Sequence, residues 1–109
     1  MDRRVVITGM GCVTPLGTTV DELWQRLLRS ESGVDYTTVF DASQFPTKFS
    51  AEVRDYDVSQ DGLDSQLWSR RGRHTRFAAG AASQAVKLAG INGNIDPVRF
   101  GVYLGSGEG

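Results

Sequence analysis

Apolar and polar positions change rhythm along this chain, and each rhythm predicts a different element. Val5, Val6 and Ile7 form a short β-branched run with charge before it and glycine after it, the pattern of a strand buried on both faces. Gly9 and Gly11 then permit a sharp turn, and Pro15 with Gly17 closes a second bend. Val20, Leu23, Trp24, Leu27 and Leu28 fall at i, i+3, i+4, i+7 and i+8 as one apolar stripe, while Asp21, Gln25, Arg26 and Arg29 face away. Thr19 and Glu22 have capping-box spacing, so this helix is expected to begin near Val20 and to stop around 30–33. Strand, glycine turn and helix in that order open an α/β layer.

Residues 34–62 show no sustained period. Phe40, Phe45 and Phe49 sit among Asp, Ser and Pro, which predicts an irregular excursion pinned by aromatic anchors. Within it Phe49, Ala51 and Val53 alternate with Ser50, Glu52 and Arg54, the mark of a half-exposed edge strand, and 57–64 reads as a turn. Phe77, Ala81, Ala85 and Leu88 then share a helical face that closes on Gly90, a C-cap glycine. Small residues fill most positions between them, which predicts close approach on more than one side and a helix buried between layers. Residues 99–104 form a second candidate buried strand, weakened by Gly101 and followed by a glycine-rich loop. No internal repeat or low-complexity tract interrupts this order.

Length and composition narrow the class. The 109 residues make one domain or a piece of one. At 39% hydrophobic and 23% charged, the composition is that of a globular chain. A net charge of -1 gives no general attraction to nucleic acid or an anionic membrane, so a charged partner must meet a local patch. The single cysteine, Cys12, excludes an internal disulfide and fits a reducing compartment. The opening residues lack the apolar stretch of a signal peptide or membrane span, so a cytoplasmic location is expected.

Candidate chemistry is sparse. Gly9-Met10-Gly11 suggests a dinucleotide turn, but Thr14 stands where that motif needs glycine or alanine and the helix starts too late to aim at a pyrophosphate, so a structural turn is the better reading. Cys12 has no evident base and reads as a small hydrophobe rather than a nucleophile. His74, the only histidine, has no companion at metal-ligand spacing. Arg70, Arg71, Arg73, His74 and Arg76 form the one charge cluster, either a solvated helix face or a dock for an acidic or phosphorylated partner.

Taken together, these stretches resemble the N-terminal end of a β-ketoacyl-acyl-carrier-protein synthase, the elongating, synthase II-like condensing enzyme of fatty-acid and related polyketide synthesis. RRVVITGMGCVTPLGTTVDELWQRLLRSESGV is similar to the family's opening strand, glycine turn and first helix. FDASQFPTKFSAEV resembles its F-D-x-S-x-F/Y-x-T-K-F stretch, and FGVYLGSGEG its strand leading into a G-S-G-x-G loop. The resemblance covers residues 1–109 and implies an α/β, thiolase-like layered fold, of which this is an incomplete N-terminal portion, in a cytoplasmic homodimer. It implies a decarboxylative Claisen condensation in which a cysteine thiolate takes an acyl group from acyl carrier protein, malonyl-carrier protein loses carbon dioxide, and two histidines assist. Neither cofactor nor metal is implied.

The family's nucleophilic cysteine lies on a central helix that comes later in the chain than any of these segments. Cys12 corresponds to a variable position, so no catalytic residue is assigned and the segment alone is expected to be inactive. Arg70 and Arg73 correspond to basic positions associated with docking the acidic carrier protein, while Arg71, Gly72 and His74 stand where relatives usually have Met, Asp and Phe. Glu108 occupies the x of G-S-G-x-G, the acyl-pocket gate position, where a carboxylate beside an acyl chain is costly unless paired or solvated. The rival readings are a non-catalytic interaction module, chain-length-factor-like or a shortened paralogue, and an unrelated small nucleotide-binding α/β domain. Isolated, the segment is expected to expose apolar surface and open sheet edges.

Overall fold

Helix α1 spans Val20–Leu28 and is held at its start by two reciprocal side-chain bonds. Thr19 Oγ1 accepts from the Glu22 N–H at 3.2 Å, and the Glu22 carboxylate accepts from the Thr18 N–H at 3.0 Å, one residue earlier than a standard capping box places it. At the other end Ser30 takes a left-handed φ of 56°, and the N–H groups of Ser30 and Glu31 donate back to the carbonyls of Leu27 and Arg26. Arg26, placed by the helical pattern on the solvent face, instead donates to the Leu16 carbonyl at 2.7 Å and to the Glu31 carboxylate at 2.6 Å. That ties α1 to the Pro15 bend through its polar side. Its apolar stripe stays open, with Trp24 57% exposed.

The computed structural model describes residues 2–107. After α1 come the strands β1 (Val34–Tyr36) and β2 (Phe49–Ala51), a 3-10 turn at Val58–Asp61, the short helix α2 (Ser65–Trp68), the long helix α3 (Arg73–Ala89) and a 3-10 turn at Pro97–Arg99. β1 and β2 pair antiparallel, with Asp35 opposite Ser50. The alternation at 49–54 therefore does mark a strand, though a shorter one, and its partner lies in the stretch that showed no period.

Helix α3 ends as the sequence predicts. Gly90 has φ 69°, its N–H donates to the Lys87 carbonyl at 3.1 Å, and the Ile91 N–H donates to the Val86 carbonyl at 3.2 Å. The small residues serve two neighbours. On one side Gly9 and Gly11 lie against the carbonyls of Ala85 and Ala81, where a β-carbon on either glycine would collide with backbone. On another side Gly80 faces the Tyr56 hydroxyl and Asp61, again without room for a β-carbon. Close approach rather than phosphate binding is what these glycines provide.

Two expectations need correction. Residues 5–7 and 99–104 form no strand, and neither stretch joins a sheet among the described residues. Val5 is 94% exposed and Tyr103 fully so. An apolar run becomes a buried strand only when neighbours satisfy its backbone donors and cover its faces, and no described segment does either for these two. The buried core among the described residues is correspondingly small, consisting of Leu16, Ala42 and Val58, the last 2% exposed.

Candidate functional site

The arginine cluster lies on the turn from α2 into α3. Asp64 caps α2 by accepting from the N–H groups of Gln66 and Leu67, the Arg71 N–H closes the next turn on the Trp68 carbonyl, and Gly72 serves as the N-cap of α3 without any side-chain cap. Arg73, His74 and Arg76 then occupy the first turn of α3, with no acidic residue there. Cations at the positive end of a helix dipole are unfavourable by roughly 0.3–1 kcal/mol each, so local helix physics argues against this placement. Such local conflicts concentrate at functional sites.

The two arginines assigned from sequence stand differently. Arg70 is exposed and makes no hydrogen bond or ion pair with a described side chain. Arg73 donates to the Val53 carbonyl at 2.6 Å, and its guanidinium carbon lies 5.5 Å from the centre of the Phe77 ring. It thus fastens the start of α3 to the chain just after β2. His74 is exposed, its ring folded back over Gly72. Glu108 lies outside the described residues.

The segment beneath Arg73 is held by a residue the sequence did not single out. The Glu52 side chain, only 5% exposed, accepts from the Thr38 N–H at 2.9 Å, the Thr38 hydroxyl at 2.7 Å, the Val39 N–H at 3.3 Å and the Ser50 hydroxyl at 3.1 Å. Those bonds, the Thr38 hydroxyl foremost, lower its pKa from 4.5 to about 2. Arg54 lies 3.4 Å from the same carboxylate and donates to the Tyr36 carbonyl at 2.8 Å. Phe40 and Phe45 do stack edge to face at 5.6 Å, but both stay half exposed, so charge-assisted bonds at Glu52 pin this excursion more firmly than its aromatic residues.

A second network joins the glycine turn to α3. Gln84 accepts from the Cys12 N–H at 3.1 Å and donates to the Thr18 carbonyl at 2.7 Å and to Asp61 at 3.2 Å. The same Asp61 oxygen accepts from the Tyr56 hydroxyl at 2.6 Å. Burial, then the bond to Asp61, pushes the Tyr56 pKa upward, so the phenol stays protonated. Burial, then the Glu22 charge, raises the Cys12 thiol as well, the opposite of what a nucleophile needs. Gln84 could have been noticed in the sequence as a long polar side chain on a helix otherwise lined with small residues; nothing local marks Glu52 or Asp61.

The fold recurs in a solved structure. The ishigamide ketosynthase/chain length factor matches with a TM-score of 0.67 and 32% sequence identity over 83% of this chain and 22% of that one. The class is therefore a thiolase-like layered fold, present here as an N-terminal part. The chain belongs to the β-ketoacyl synthase family, whose N-terminal domain model, "Beta-ketoacyl synthase, N-terminal domain", matches residues 2–109. Among curated relatives, 3-oxoacyl-(acyl-carrier-protein) synthase 2 of Coxiella burnetii is 46% identical over 98% of this chain, and that of Synechocystis is 38% identical over 98%. The chain spans 26% of the length of each of these relatives. A nucleotide-binding turn at Gly9 and Gly11 is set aside by this membership and by the helix backbone that fills the space beside them. No described helix is long and apolar enough to cross a membrane.

Proposed function

We propose that this chain is the leading portion of a 3-oxoacyl-acyl-carrier-protein synthase, which condenses an acyl thioester with malonyl-carrier protein in fatty-acid or polyketide synthesis. The observation that carries this reading is the match of the family's N-terminal domain to residues 2–109, with relatives of that activity aligned from end to end of the chain. Its own contribution is scaffold and docking surface. The glycine turn, α3 and the Glu52 network hold one another in place, and the arginine turn presents cations at the positive end of α3. An acidic carrier protein suits that surface, because its charge would relieve the repulsion stored there. Arg70 meets the carrier directly; Arg73 presents its remaining N–H groups from a tethered position. Glu108 corresponds in sequence to the family's acyl-pocket gate position, and a carboxylate there favours a polar or solvated acyl group over a plain hydrocarbon. The assembled enzyme works as a cytoplasmic homodimer.

A second reading is favoured by the structural neighbour, whose name pairs a ketosynthase with a chain length factor. On that reading the chain leads a subunit without a nucleophile. The deciding experiment assays the longest native polypeptide carrying this segment with acyl- and malonyl-carrier protein. A 3-oxoacyl product supports the synthase. No product, together with a residue other than cysteine at the nucleophile position, supports the chain length factor.

A further inference from the structure

The Arg76 side chain has no hydrogen-bond or ion-pair partner among the described residues. Its Nε is buried with no hydrogen-bond partner, and no described carboxylate oxygen lies within 4.0 Å of its guanidinium. A desolvated guanidinium N–H without an acceptor costs the full penalty of its lost water. Asp57, its pKa lowered by bonds from Ser59 and Ser65 and to a lesser degree by the Arg76 charge, does not fill this role, because neither of its carboxylate oxygens comes within 4.0 Å of the guanidinium.

Arg76 lines a cleft of about 390 Å³ between α3 and the segment after β2. The other cations lining it are already engaged: Arg54 with Asp35, Glu52 and the Tyr36 carbonyl, Arg73 with the Val53 carbonyl and the Phe77 ring. The acids lining it are Glu52, which is saturated with donors, and Asp55. Three arginines against two carboxylates leave the walls one positive charge in excess, and Phe77, Val39 and Val53 add apolar surface. A dianion would crowd Asp55 and Glu52, whereas a monoanion with an apolar body matches both the charge and the walls.

We propose that this cleft binds a small organic monocarboxylate, its carboxylate paired with the unburied terminal nitrogens of Arg76 and its apolar body against Phe77 and the valines. Arg70 does not line this cleft, Arg73 lines it with a guanidinium already tied to the Val53 carbonyl, and the site stands whether or not the condensing activity does. Benzoate is the probe, titrated at constant ionic strength into the longest native polypeptide carrying this segment, with the Arg76 Nε–H signal followed by nitrogen-15 NMR. A saturable shift of that signal is expected. Binding should weaken by about tenfold or more in Arg76→Gln, while Arg70→Gln leaves it unchanged. Arg76→Lys, which keeps the charge without the planar fork, should bind at an intermediate level and guards against a folding defect in the first variant. No saturable shift, an equal affinity in Arg76→Gln, or tighter binding of inorganic phosphate than of benzoate would overturn the proposal.

Discussion

Gly11 lies against the backbone carbonyl of Ala81, so close that the turn and α3 can meet only where position 11 has no side chain. This contact, with its counterpart at Gly9 and Ala85, replaces a phosphate-binding explanation of the glycine turn by a packing one. Gly11→Ala should therefore force the turn off the helix and destabilise the protein by about 1–3 kcal/mol, the usual range for overpacking. Gly90→Ala meets no neighbouring atom and suffers only its left-handed φ of 69°, with an expected cost of roughly 1 kcal/mol. Urea unfolding of both variants checks the order; an unchanged midpoint for Gly11→Ala would contradict the packing account.

The Glu52 cluster predicts an acid sensitivity with a definite sign. Its folded pKa is depressed from 4.5 to about 2, so its contribution is complete above 4.5 and is lost as pH falls toward 2. Glu52→Gln should flatten the fall in stability across that window and leave the protein less stable than the parent at neutral pH. Asp57 is lowered to about 2 as well, so the difference between parent and variant, not the parent curve alone, isolates Glu52. Chemical denaturation at a series of pH values measures it.

Asp61 and Tyr56 should prove unequal partners. Tyr56→Phe removes one donor while Gln84 still serves Asp61, with an expected cost of about 1 kcal/mol. Asp61→Ala strands the Tyr56 hydroxyl and takes one of the Gln84 amide's bonds, leaving those to Thr18 and Cys12, with an expected cost of about 2–3 kcal/mol. The double variant should cost less than the sum, because the first change already removes the shared bond.

Arg70 and Arg73 should separate kinetically. Arg70→Glu is expected to raise KM for acyl-carrier protein, leave a carrier-free thioester unaffected and keep the unfolding midpoint unchanged. Arg73→Glu should raise the same KM and also destabilise by about 1 kcal/mol, because its tether to the Val53 carbonyl goes with it. An unchanged ratio of the two KM values in both variants would remove the docking role.

What the sequence revealed followed from local chemistry. The Thr19 cap, the bend at Pro15 and Gly17, and the Gly90 cap are each decided by residues within a turn of one another, and each is found where its residues stand. Residues 5–7 and 99–104 misled because a strand is completed by partners distant in sequence, and none is among the described residues. β1 was invisible for the related reason that three residues carry no readable period. Arg26 misled because position on a helical wheel says nothing of a carbonyl such as that of Leu16 waiting at the helix flank. The arginine turn was legible as charge, but the tether of Arg73, the isolation of Arg76 and the Glu52 cluster all depend on contacts across many residues.

The most direct measurement of the central claim is the fate of a radiolabelled acyl group. Acyl-carrier protein is incubated with the longest native polypeptide carrying this segment and, in parallel, with residues 1–109 alone, and the label is mapped by proteolysis. Label on a cysteine beyond residue 109, with none on the short polypeptide, is the expected result. Label on Cys12 that disappears in Cys12→Ser would contradict it.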